Sequence, residues 1–140
     1  MMRVVADANV LVSAALSRSA QAPSVVIMDA ALEDKIELVT CPALLAEVAD
    51  VLDRPRLRKH VTPDEAEEFV AELTRETTLV ADPLNPEKVC RDPDDDYLVA
   101  LAKDVQAEVL VTGDADLLAV ESARAGVEVM TPRDLVDRLG

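Results

Sequence analysis

Apolar positions along the chain follow two alternating rhythms. Short runs rich in Val and Leu predict strands over Arg3 to Ala6, Glu37 to Thr40, Thr78 to Val80, Val109 to Val111 and Glu128 to Met130. Between them, apolar residues three and four apart predict helices over Val10 to Leu16, Ser24 to Leu32, Ala43 to Leu52, Pro63 to Leu73, Pro93 to Lys103, Ala115 to Ser122 and Pro132 to Leu139. Two helix starts are explicit: Thr62-Pro63-Asp64-Glu65 and Thr131-Pro132-Arg133-Asp134 each supply a capping oxygen, a proline at the first helical position and an acid at the third. Strands alternating with helices predict an α/β fold around a short, mainly parallel sheet of about five strands, each covered on both faces. In such sheets chemistry belongs beyond the carboxyl ends of the strands.

Acids stand at those ends. Asp7 follows Val4-Val5-Ala6 directly, and Asn9 is the better-placed helix cap, which leaves Asp7 free for chemistry. Val109-Leu110-Val111 runs into Thr112-Gly113-Asp114-Ala115-Asp116 in the same way, with Asp114 serving either as an N-cap or as a ligand. Glu47 shares a helical stripe with Leu44, Val48 and Val51, so its carboxylate either reaches water at the stripe edge or faces a cation or a cationic side chain. Asp92-Pro93-Asp94-Asp95-Asp96 opens another helix, where a cap needs one or two of these four carboxylates and the surplus points to a cation. Asp95 lies on the face of Leu98, Val99 and Ala102 and is the inward choice; Asp96 leads toward Lys103 and solvent, and Asp92 and Asp96 are held in reserve. Carboxylates gathered at one sheet edge form a hard-oxygen site suited to Mg²⁺ or Mn²⁺.

Charge complicates the choice of partner. The chain has 140 residues, half of them apolar, which is enough for one domain with its own core, and its net charge is −14. An acidic chain whose aromatics are limited to Phe69 and Tyr97 is a poor passive binder of nucleic acid, unless cations bridge its acids to phosphates. Arg54, Arg56, Arg58 and Lys59 depart from this balance. They put four of fourteen basic residues into six positions, to guide an RNA backbone, dock an acidic partner or simply solvate a linker. No apolar run approaches a membrane span and no signal peptide is evident, so a cytoplasmic location is expected. Cys41 and Cys90 read as core thiols; with the single His60 they have no zinc-ligand spacing.

Together, Asp7-Ala8-Asn9-Val10-Leu11-Val12-Ser13, Glu47 in its Leu/Val helix, Asp92-Pro93-Asp94-Asp95-Asp96 and Val111-Thr112-Gly113-Asp114-Ala115-Asp116 resemble PIN-domain proteins over nearly the whole chain. The segment Val51-Leu52-Asp53-Arg54-Pro55-Arg56-Leu57 is similar to the bacterial and archaeal VapC-like branch, described as toxin components of toxin–antitoxin systems. The resemblance implies a Rossmann-like sheet and Mg²⁺- or Mn²⁺-dependent endoribonuclease activity. It also implies an acidic quartet of Asp7, Glu47, Asp95 and Asp114, with Asp116, Asn9 and Thr112 as accessories. Counting back from Asp114 fits Asp96 as the third acid about as well as Asp95. A homodimer and a protein antitoxin are further implications.

Two other classes remain to be weighed. A haloacid-dehalogenase-like phosphoryl-transfer enzyme resembles D-x-D where this chain has Asp7-Ala8-Asn9. A non-catalytic acidic-pocket domain of the receiver type could use Asp82 as its phosphoacceptor, but Thr131-Pro132-Arg133 stands where such receivers carry a lysine.

Overall fold

A computed structural model describes residues 1–90, 92–120 and 122–140. Five parallel strands, β1 (Met2–Ala6), β2 (Ile36–Thr40), β3 (Thr78–Leu79), β4 (Val109–Val111) and β5 (Glu128–Met130), form one sheet in the order β3-β2-β1-β4-β5. Around them lie α1 (Ala8–Leu16), α2 (Pro23–Leu32), α3 (Pro42–Leu52), α4 (Pro63–Glu76), α5 (Asp96–Asp104), α6 (Ala115–Leu118), α7 (Ser122–Ala125) and α8 (Pro132–Leu139). The expected α/β architecture is observed. Among the described residues, no helix is long and apolar enough to cross a membrane.

The apolar strands go where their composition sends them. Val4, Val5, Ala6, Val109, Leu110 and Val111 are completely buried, because β1 and β4 sit in the middle of the sheet with helices on both faces. Leu44, Leu101 and Leu135 close over them from α3, α5 and α8. The expectation of two covered faces fails for β3, whose Thr78 and Leu79 are exposed; as the last strand on its edge it has one neighbour and little apolar content to bury. Chain order places the reversal of winding between β1 and β4, which register as Val4 to Val109 and Ala6 to Val111. Their carboxyl ends therefore open side by side, the crevice in which α/β sheets bind ligands.

Helix ends follow local chemistry with three departures. Both Thr-Pro starts form complete capping boxes, Thr62 with Glu65 and Thr131 with Asp134. The predicted Pro93 start is first a 3-10 turn over Pro93–Asp95, and regular helix begins at Asp96. The helix expected over Ala115 to Ser122 is broken into α6 and α7; Glu121 lies outside the described residues. With only three glycines in the chain, α2 and α5 end on left-handed Asp34 (φ 58) and Gln106 (φ 55) instead.

One cap comes from far along the chain. α3 begins after Cys41, which makes no side-chain cap, and Asp82 beyond β3 accepts the Ala43 N–H at 2.8 Å. Asp82 therefore ties the edge loop to the helix that carries Glu47, which is an ordinary structural use for the residue singled out as a receiver phosphoacceptor. Replacing Asp82 with Ala is expected to lower unfolding free energy by ~1 kcal/mol, the usual value of an N-cap, whereas Asp82→Asn keeps most of it; chemical denaturation reads both.

Candidate metal centre

The β1–β4 register builds the first half of the site. The Asp7 N–H continues the ladder by donating to the Val111 carbonyl at 3.0 Å, and this fixes Asp7 beside Thr112. Thr112, fully buried, donates its hydroxyl to Asp7 Oδ2 and accepts the Asp114 N–H at 3.0 Å. Asp7 Oδ1 accepts the Val10 N–H at 2.9 Å, so Asp7 is itself the N-cap of α1. This corrects the assignment of the cap to Asn9: α1 starts two residues earlier than its apolar pattern suggests, which leaves Asn9 exposed in the first turn. Asp114 caps α6 by accepting the Asp116 N–H at 2.8 Å, so its cap role is real and also leaves the second oxygen uncommitted to that turn. Asp116 is half-buried at the same helix start.

The second half comes from α3 and the turn before α5. Glu47 is half-buried beside Leu44, Val48 and Val51, on the inward stripe where the pattern put it. Among the described residues no cationic side chain supplies its partner; the Tyr97 hydroxyl donates to Glu47 Oε1 at 2.7 Å. A phenol satisfies the carboxylate without neutralising it. Tyr97 is the functional residue that sequence reasoning passed over. It is the only tyrosine and sits two residues after Asp95, a signal that existed but could not be connected to Glu47, fifty positions away.

The helix register does not describe Asp95 and Asp96: Asp95 is half-buried and Asp96 is the more buried of the two. Asp96 is buried, only 7% exposed, not solvent-facing as expected: its Oδ1 accepts the Val89 and Cys90 N–H groups at 3.1 and 2.7 Å and anchors the preceding loop. Asp95 keeps a buried Oδ2 with no hydrogen-bond partner. Burial, and then the negative charges of Asp114, Asp92, Glu47 and Asp7, push the Asp95 carboxyl up to about 6. Asp7 is raised as well, chiefly by burial, against the lowering effect of its Thr112 and Val10 hydrogen bonds, and Asp114 and Glu47 add to the rise. Asp7, Glu47, Asp95 and Asp114 therefore feel one another's charge, and Asp92, which also accepts the Asp94 N–H at 3.0 Å, belongs to the same field.

As the side chains stand, no three described acids converge to ligating distance around one point. Their chemistry nevertheless fits a divalent ion: the donors are hard oxygens, they repel one another, and the buried Asp95 Oδ2 has a hydrogen-bonding capacity that nothing among the described residues fills. Cys41 and Cys90 are buried thiols whose pKa values burial raises to about 11 and about 12, and His60 is exposed elsewhere. Arg54, Arg56, Arg58 and Lys59 are exposed around a 3-10 turn over Pro55–Leu57, past the end of α3; Arg58 lies 4.0 Å from Asp53.

The chain is similar to known proteins. Residues 3–116 match the family model described as PIN domain. The chain is 26% identical over 143 residues to the uncharacterized protein MJ1680 of Methanocaldococcus jannaschii, an alignment spanning 97% of this chain and 90% of that protein. Among solved structures, PAE2754 from Pyrobaculum aerophilum superposes with a TM-score of 0.66 at 18% identity, covering 99% of this chain and 89% of the other. The structure of VapBC2 from Rickettsia felis bound to a DNA fragment from their promoter gives 0.61 at 12% identity, covering 93% of this chain and 98% of that one. At these identities the solved structures show a common fold, and the family model, matching well over half of the chain, shows more: this protein belongs to the PIN-domain family.

Proposed function

We propose that this chain, taken as one nuclease domain over residues 1–140, is a divalent-metal-dependent endoribonuclease and the toxin component of a toxin–antitoxin pair. PIN domains are generally nucleases. The observation that carries the reading is the orphaned, buried Asp95 oxygen amid three other carboxylates at the switch point of the sheet. Asp7, Glu47, Asp95 and Asp114 would hold the ion, with Asp116 as an accessory ligand. Mg²⁺ or Mn²⁺ bound there lowers the pKa of a water and offsets negative charge on a phosphodiester.

The protein's own residues prepare that site. The Val10 N–H and the Thr112 hydroxyl fix both oxygens of Asp7, so its carboxylate plane is set before any ligand arrives. Tyr97 does the same for one oxygen of Glu47 and makes no bond to the other. Asp92 and Asp96 hold the turn that presents Asp95, Asp92 by its bond to the Asp94 N–H and Asp96 by anchoring residues 89 and 90. Arg54, Arg56, Arg58 and Lys59 are assigned to the RNA backbone. An antitoxin partner is supported by the likeness to VapBC2, and a cytoplasmic homodimer completes the reading.

Cleavage of a mixed RNA pool is expected to require Mg²⁺ or Mn²⁺ and to stop in EDTA. Asp7→Asn should lower it at least ~100-fold with the fold retained, because Asn still caps α1 but is a weaker ligand. Undiminished cleavage in EDTA sinks the proposal.

Tyr97→Phe removes the phenol but not the ring. Affinity for Mn²⁺, measured by titration, should fall ~10–100-fold while the melting temperature changes little; an unchanged Mn²⁺ affinity makes the Tyr97 hydroxyl structural.

Asp95 and Asp96 should separate in stability as well as activity. The folded-state pKa of Asp95, about 6, stands above its ordinary value of 3.8, so the folded protein binds that proton more tightly than the unfolded chain. The carboxylate therefore costs nothing below the lower value, costs progressively more as pH rises between the two, and exerts its full cost above the upper one. Asp95→Asn should abolish cleavage while raising metal-free stability at neutral pH and flattening its fall over that window. Asp96→Ala should instead destabilise by ~1–3 kcal/mol, since two buried N–H groups lose their acceptor. Denaturation from pH 3 to pH 8 distinguishes them, and the opposite assignment makes Asp96 the ligand.

A further inference from the structure

Next to the acid edge runs a groove of about 410 Å³, lined by Val10, Pro23 and Pro132 together with Asn9, Ser13 and Arg133 among others. Its position is set by the same elements as the site: Asn9 lies two residues after Asp7, and Gly113, also in its wall, directly precedes Asp114. A Cβ built on Gly113 would meet nothing within 4 Å, so the wall nearest the acids is open.

The groove differs from the molecule's other concavities in charge. Arg133 is its only charged lining residue, whereas the grooves beside Glu87 and Asp104, beside Glu108 and Glu128, and beside Asp29 and Glu33 each carry two carboxylates. In a chain of net charge −14, a polyanion held at the acid edge must leave it along a path free of further acids. The groove's size suits a small organic ligand, and its apolar walls carry a few polar groups of the kind that fix orientation. Asn9 offers an amide donor and acceptor. Ser13 accepts from the Ser24 hydroxyl at 3.3 Å and retains its own hydroxyl proton to donate. Neither of the chain's two aromatics, Phe69 and Tyr97, lines the groove, so a base there is held by apolar contact rather than by aromatic stacking.

We infer that this groove binds the base and ribose of the nucleotide adjoining the cleaved phosphodiester, with Arg133 at its rim against the next phosphate. The inference rests on the nuclease reading and adds a specificity-determining subsite to it: Asn9 and Ser13 meet polar atoms of the nucleotide, while Val10, Pro23 and Pro132 enclose its flat faces.

The test is a titration of the isotope-labelled full chain, without metal, with uridine and adenosine 5′-monophosphates, followed by backbone amide shifts. Shifts are expected at Ser13, Ser24 and Gly113. Two surface substitutions, Ser13→Leu to fill the slot and Arg133→Glu to reverse the rim charge, should each weaken binding at least about tenfold. Shifts confined to other surfaces, or undiminished binding in both variants, overturn the inference. RNA cleavage without any shift in the groove also overturns it and leaves the nuclease reading standing. Groove shifts that the two variants abolish, in a protein that cuts no RNA, support the nucleotide site and count against the nuclease reading alone.

Discussion

Parallel pairing of Val4-Val5-Ala6 with Val109-Leu110-Val111 is the constraint from which the rest of the site follows. These strands are adjacent in the sheet although about a hundred residues apart in the chain, and the winding reverses between them, so no helix closes over their shared carboxyl end. The ladder continues one bond further, from the Asp7 N–H to the Val111 carbonyl, and that bond sets a carboxylate beside the Thr112 hydroxyl. A one-residue slip would turn every apolar side chain of β1 to the opposite face, so the same burial that holds the strands in register also aligns the acids.

Capping and ligand chemistry are not alternatives at this edge. Asp7 uses one oxygen for the Val10 N–H and the other for Thr112, and Asp114 gives one oxygen to the Asp116 N–H. A helix start is a favourable place for a negative charge, which lowers the cost of bringing several carboxylates together. The offset is incomplete. Asp95 and Asp7 retain raised proton affinities, and the Asp95 Oδ2 remains buried without a partner. Gathered carboxylates carry this residual strain because like charges and burial both disfavour the ionised form.

The acidity of the whole chain also takes on a local meaning. Carboxylates occupy the exposed face of α4 and the grooves beside Glu87, Glu108 and Asp29, while the groove leading from Asn9 and Gly113 to Arg133 carries none. Repulsion elsewhere on the surface narrows the routes open to a polyanion, so an unfavourable net charge can still direct a strand toward one path.

From the sequence alone, the α/β class, the five strands, both Thr-Pro caps, the strand-end positions of Asp7 and Asp114 and the inward stripe of Glu47 were legible, because apolar periodicity, caps and strand ends are local signals. The PIN family was legible too, in four short motifs read in order. What each acid touches was decided by tertiary structure. The α1 start at Ala8 made Asp7 rather than Asn9 the cap. A 3-10 turn before α5 rotated Asp96 into the protein to hold residues 89 and 90, although helical spacing pointed it toward solvent. Tyr97 reached Glu47 across fifty residues, and Asp82 reached α3 across thirty-nine. Periodicity along a chain reports which face of an element is buried; it carries no information about which other element arrives there, since that depends on the strand order β3-β2-β1-β4-β5 and on packing between residues distant in sequence.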